Sequence, residues 1–267
     1  LELIPSRGTE GSRLRRWRRA ALAVVVPAFA VLWAGGVAGH WRGGARPEEV
    51  WLASLFLALA GLAVVLGTRT RRGALALAAV ALFGFAVEVA GANTGLPFGA
   101  YSYTDALRPR VFGAPLVIGV AWMTLVAQSW SLVAPLNLRR TPAVLLAALL
   151  TSAADLVIDP LAANQLGYWR WERGGIYYGI PATNFAGWLL TSLAALFVFA
   201  RRLEPTFWAR AVGLAITLFF SLGAAAHGLT LAALFGFTLC AAQLTLTLRA
   251  RHAQGARPPR PTELVET

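Results

Sequence analysis

A chain that strings together apolar runs of about 20 residues has few folds open to it, because each run has the length a helix needs to cross the hydrocarbon core of a bilayer. Such runs lie at 20–39, 50–68, 73–92, 114–136, 142–162 and 183–200, and a further one, 208–248, is twice as long. Ala226-His227-Gly228, near the middle of the long run, reads as a tight turn between two spans. The expected fold is therefore all-α: a polytopic integral membrane protein of about eight transmembrane helices. Composition agrees, with 57% hydrophobic residues, 13% charged residues and a mean hydropathy of +0.61, all outside the range of soluble domains. The Arg-rich start leads straight into a run long enough to span, so the first helix is expected to be retained.

Charge sets the orientation. The net charge is +12, and all 24 basic residues are Arg. They gather at the ends of the apolar runs. With the N-terminus inside, 18 of the 24 fall in cytoplasmic segments, at 7–19, 69–72, 139–140, 201–210 and 249–260. The positive-inside rule thus selects both termini in the cytoplasm, and it accounts for the basic balance without nucleic acid. The expected division is a disordered, Arg-rich cytoplasmic lead at 1–19, a single transmembrane domain at 20–249 and a disordered cytoplasmic tail at 250–267. Thr141-Pro142 reads as a cap with proline at the first helical position. Pro27 is expected to kink the first helix. Trp17, Trp41, Trp51, Trp130 and Trp208 fall near run ends, as an interfacial belt requires.

Acids inside such runs cost roughly 2.5–3.5 kcal/mol each on insertion scales, so they need partners or a wet cavity. The apolar spans hold three: Glu88, Asp155 and Asp159. Asp155 and Asp159 are one helical turn apart and face the same way. Counted from Gly73 and Thr141, Glu88 and Asp155 lie about 22 and 21 Å along helices running in the same direction, hence at similar depth. Both helices lead into the two long outer loops, 93–113 and 163–182. These loops are dense in Gly, Pro and aromatic residues, the composition of ordered caps over a pocket.

Clustered carboxyls cannot all ionise in a low-dielectric site, and a carboxylic acid held neutral among rings is a general acid. Aromatic faces stabilise a passing carbocation. Acid plus ring-lined pocket points to alkene protonation. Asp155, as the deepest, is the expected proton donor, with Asp159 or Glu88 orienting water. Tyr101, Tyr103, Trp169, Trp171, Tyr177, Tyr178, Asn184 and Asn93 are the expected substrate-binding residues; of these, Tyr101, Trp169 and Tyr178 would face the cation and Asn184 would hold a hydrogen bond.

Two blocks, Glu88 to Thr104 (EVAGANTGLPFGAYSYT) and Asp155 to Trp188 (DLVIDP through GYWRWERGGIYYGIPATNFAGW), resemble the bacterial and archaeal carotenoid biosynthesis membrane proteins that act as carotenoid 1,2-hydratases. The resemblance covers residues 80–190. It implies addition of water, with no cofactor, across the terminal 1,2 double bond of an acyclic end group such as that of γ-carotene or lycopene. It further implies a lipophilic carotenoid substrate, membrane lipid and neighbouring carotenoid enzymes as partners, and a place in the bacterial plasma (inner) membrane.

Other readings compete. The three acids also suit a polar network that pins helices together. Asp155 and Asp159 form the D-x-x-x-D of a prenyltransferase holding Mg²⁺ against a diphosphate, but only Glu88 stands in for the second acidic cluster. A proton-coupled transporter uses intramembrane acids as relays, but no ionisable residue continues the path inward. His40, His227 and His252 lack ligand spacing, so no metal site is expected. Cys240, the single cysteine, excludes an internal disulfide.

Overall fold

The computed structural model describes residues 7–43 and 51–255. Among these the chain forms eight α-helices: α1 (Arg7–Trp41), α2 (Trp51–Gly67), α3 (Arg71–Thr94), α4 (Leu116–Val133), α5 (Arg140–Asn164), α6 (Ala182–Phe199), α7 (Phe207–Ala226) and α8 (Thr230–Gly255). Seven of them are long and apolar enough to cross a membrane, and α2, with 17 residues, is the short eighth. The long run divides at His227, with Gly228 at φ 70° in the turn. α4 is the axis of the bundle. Its side chains are buried almost continuously from Val117 to Val133, and it packs against α2, α3, α5, α6, α7 and α8.

Three local expectations change. The Arg-rich lead is helical from Arg7, not disordered. Leu14, Ala20 and the run of Arg residues are strong helix formers, so propensity carries α1 beyond its apolar part. Arg18 also reaches the carbonyls of Thr68 and Arg69 at 2.7 and 3.2 Å, meeting the open end of α2. At the other terminus α8 continues to Gly255, while 256–267 lie outside the described residues. Finally, α5 starts at Arg140 with Arg139 as N-cap, so Thr141 caps nothing and Pro142 is the third helical residue. An N–H there has no intrahelical acceptor, so the proline is still free of cost. Pro27 lies inside an unbroken α1.

The two ends of the bundle sort cleanly. At one end Glu204 accepts from the backbone of Arg69 and Thr70, Arg140 reaches the Phe197 carbonyl, and Arg210 reaches that of Ser131. This is the arginine-rich end. At the other end the two long loops are joined into a small sheet. Strand β1 (Tyr101–Tyr103) pairs antiparallel with β4 (Trp169–Trp171), in the register Tyr101 to Trp171 and Tyr103 to Trp169. A second short pair, β2 (Arg110–Val111) and β3 (Ala114–Pro115), turns the first loop into α4. Thr104 N–H to Tyr168 O and Glu172 N–H to Ala100 O, both 3.0 Å, extend the first sheet beyond its named strands.

Candidate active site

Period-two alternation builds the roof of the site. In Tyr101-Ser102-Tyr103 and Trp169-Arg170-Trp171 the rings occupy alternate positions, so all four fall on one face of the sheet. Ser102 and Arg170 are on the exposed face. Cross-strand contact orders the rings, with Tyr101 on Trp171 at 5.1 Å and Tyr103 on Trp169 at 6.0 Å between centroids.

Each strand serves one acid. The phenols of Tyr101 and Tyr103 donate to Glu88 Oε2 at 2.6 and 2.7 Å. The indole N–H groups of Trp169 and Trp171 donate to Asp159 Oδ1 at 2.7 and 3.4 Å. Burial, and after it the neighbouring Glu88, push both phenols well above the usual tyrosine range, so they remain O–H donors. The other oxygen of Glu88, Oε1, takes the indole N–H of Trp122 at 2.8 Å. Trp122 fits because α3 has Gly84 there, where a Cβ would stand 2.5 Å from the Trp122 Cβ.

Asn184, at the start of α6, joins the remaining oxygens. Its side-chain amide donates one hydrogen to Asp155 Oδ2 at 2.6 Å and the other to Asp159 Oδ2 at 2.7 Å. Among the described residues Asp155 Oδ1 has no hydrogen-bond partner. Both aspartates are 1% exposed and Glu88 is 5% exposed. The pair therefore accepts one amide between them.

Pro160 explains how the second loop locks onto this site. Lacking an N–H, it leaves the carbonyl of Leu156 without its helical donor. Tyr177 fills that place, its hydroxyl donating to Leu156 O at 2.7 Å, next to Asp155 in sequence. Asn164 holds the Tyr178 carbonyl at 2.9 Å, and the Tyr178 hydroxyl accepts the N–H of Leu231, a free donor at the start of α8.

An apolar cavity lies beneath the sheet. Glu88, Asp159, Tyr101, Tyr103, Trp169, Trp171 and Asn184 line it, together with Phe98, Trp122, Tyr168 and Trp188. The three acids converge as expected, but Asp159 and not Asp155 forms the wall. Asp155, the expected proton donor, is bonded to Asn184 and lies off the cavity lining. Tyr177 and Tyr178 are off the cavity as well, spent on anchoring the loop. Asn93 is also off it, donating to the carbonyls of Val89 and Phe112 at 2.7 and 2.9 Å and so holding the first loop.

Trp122 and Trp188 escape the sequence reading. They stack at 4.1 Å and 24° and form one wall of the cavity. The signal was present: Trp122 lies well inside an apolar span, where an indole N–H needs a protein acceptor. His40 and His227, which have no ligand spacing in the sequence, meet at 3.2 Å. Among the described residues no group of three or more His, Cys, Asp or Glu side chains is placed to hold a metal ion.

Comparison with known proteins gives this arrangement a family. The bisanhydrobacterioruberin hydratase of Haloarcula japonica is 33% identical over 159 residues, which are 58% of this chain and 54% of that protein. The match thus spans about half the length of that relative. No solved structure matches the chain. Residues 49–250 match the family described as carotenoid biosynthesis protein, and on that coverage the chain belongs to the carotenoid biosynthesis protein family.

Proposed function

We propose that this protein adds water across the terminal 1,2 double bond of an acyclic carotenoid end group, giving a tertiary alcohol. The observation that carries the reading is the cavity: Glu88 and Asp159 on the wall of an otherwise apolar, ring-lined space in a carotenoid biosynthesis protein. The name of the Haloarcula japonica relative supports the same reaction class.

In this reading the carboxylic acid of Asp159 gives its proton to C2 of the alkene, and the electron pair of the double bond forms the new C–H bond. The tertiary cation left at C1 faces the rings of Trp169, Trp171, Tyr101 and Trp188. Water adds its oxygen to C1. Its surplus proton passes to Glu88 and returns to Asp159, so the cycle consumes one water and no net proton. Asp155 is a positioning residue: through Asn184 it fixes Asp159. The Mg²⁺ alternative is weaker, because Asp155 and Asp159 direct oxygens at Asn184 and the two indoles, where a metal-bound diphosphate needs them open to water.

Expressed in a host that makes a carotenoid with acyclic ends, the protein should yield a product heavier by one water per modified end. A membrane-inserted, folded protein that leaves the carotenoid unchanged would contradict the reading.

The orientation we propose follows the arginines, with both termini on the cytoplasmic side of a bacterial plasma membrane and the sheet of β1 and β4 outside. Substrate and product stay in that membrane, which favours neighbouring carotenoid enzymes as partners. Cysteines placed at the loop positions Ser102 and Gly174 should react with an impermeant thiol reagent in intact cells. Reaction only after lysis would move the site to the cytoplasmic face.

A further inference from the structure

The ligand of this cavity is apolar and lives in the bilayer, so its natural route is through the side of the bundle. α3 and α6 supply one. Near the arginine-rich end they meet directly, with Phe83 and Phe199 edge to face at 6.3 Å. Toward the loops another ring comes between them. Phe98, from the first loop, sits between Gly91 of α3 and Gly187 of α6. A Cβ at Gly91 would stand 2.8 Å from Phe98 Cδ2, and one at Gly187 would stand 2.7 Å from Phe98 Cδ1. Two absent side chains therefore leave a slot one flat ring thick.

Phe98 is both stopper and wall. It is 2% exposed, lines the cavity and stacks on Trp122 at 6.2 Å. Its turn starts and ends on residues whose backbone favours glycine, Gly95 at φ 75° and Gly99 at φ 109°, closed by Gly99 N–H to Gly95 O at 2.6 Å. Thr183 Oγ1 fastens the turn to α6 by donating to Phe98 O at 3.1 Å. Beside it Leu96 presents a 73% exposed apolar side chain to the outside.

We propose that the slot between Gly91 and Gly187 is a second subsite, which holds the linear hydrocarbon chain of the substrate while its end group lies at Glu88 and Asp159, and that Phe98 swings out to admit that chain. A slot filled by one flat ring accepts a linear or planar conjugated chain and rejects a puckered ring, so the close approach of α3 and α6 at Gly91 and Gly187 selects for acyclic ends while Phe98 gates their entry. The identity of the end group rests on the hydration reading above; the route does not.

The test uses the full chain in lipid nanodiscs, with Cys240→Ala to remove the native thiol. Uptake of an acyclic polyene hydrocarbon is followed by quenching of tryptophan fluorescence, a readout independent of turnover. In the pair Gly99→Cys and Thr183→Cys the new thiols are neighbours, since a Cβ at Gly99 lies 3.0 Å from Thr183 Oγ1; because φ 109° strains a side chain there and the pair gives up the Thr183 bond to Phe98 O, the oxidised protein is compared with its own reduced form and not with the parent. Oxidation should tie the turn to α6 and slow uptake by about tenfold or more, as for a locked gating loop, with recovery on reduction. Separately, Phe98→Ala should speed uptake of the acyclic polyene while a polyene with cyclic ends stays excluded. Equal uptake by oxidised and reduced protein, an unchanged rate in Phe98→Ala, or ready entry of the cyclic-ended polyene would overturn the proposal. Uptake that follows the lock while no alcohol forms would uphold the route and contradict hydration.

Discussion

Asp159→Asn is expected to lower formation of the tertiary alcohol by at least about 100-fold, the low end of what a general acid contributes. The substitution keeps the shape of the side chain and removes the transferable proton. The surroundings can adapt: the retained oxygen still accepts from Trp169 and Trp171, and Asn184 can turn its amide over so that its oxygen accepts from the new NH₂ group and from a protonated Asp155. Loss of rate with retained fold is therefore the expected pattern, checked by size-exclusion behaviour in detergent beside the turnover assay. Asp155→Asn should cost less, because Asp155 reaches the substrate only through Asn184. A larger loss at Asp155 than at Asp159 would return the donor role to Asp155.

Glu88→Gln should be comparably severe, again about 100-fold or more, for a different reason. Glu88 accepts two phenol O–H groups and one indole N–H. Only the indole is obliged to donate; the phenols can rotate to accept. Glutamine therefore fits with its oxygen toward Trp122 and its NH₂ toward Tyr101 and Tyr103. Geometry survives and the negative charge is lost, so the variant lacks a base for the water's proton while the cavity keeps its form. Near wild-type turnover in folded Glu88→Gln and Asp159→Asn proteins would leave the three acids as a structural network that pins α3, α5 and α6.

Much of the bundle was legible because span length is a physical requirement that apolar runs report directly. The convergence of Glu88 with the Asp155 and Asp159 pair was legible too, from helix rise alone. What helix arithmetic does not settle is which of two acids one turn apart faces a cavity, since they differ by only about 40° around the axis. Here the neighbour decides. Pro160 releases a carbonyl beside Asp155, Tyr177 takes it, and the loop is drawn over that turn of α5. The sheet was missed although Y-S-Y and W-R-W both carry period two, because three-residue strands are too short to stand out before their partner is known. Reading the tryptophans as an interfacial belt suited Trp17, Trp41 and Trp51, which are exposed. It hid Trp122 and Trp188, whose rings form a wall.

In the proposed reaction a carboxylic acid and a water molecule suffice, and the oxygen of the product comes from water. Purified protein in nanodiscs, given an acyclic-ended carotenoid, can be run in ¹⁸O-labelled water under ordinary air and in ordinary water under ¹⁸O₂. Hydration should place label in the tertiary hydroxyl in the first experiment and none in the second; label arriving from O₂ would contradict it.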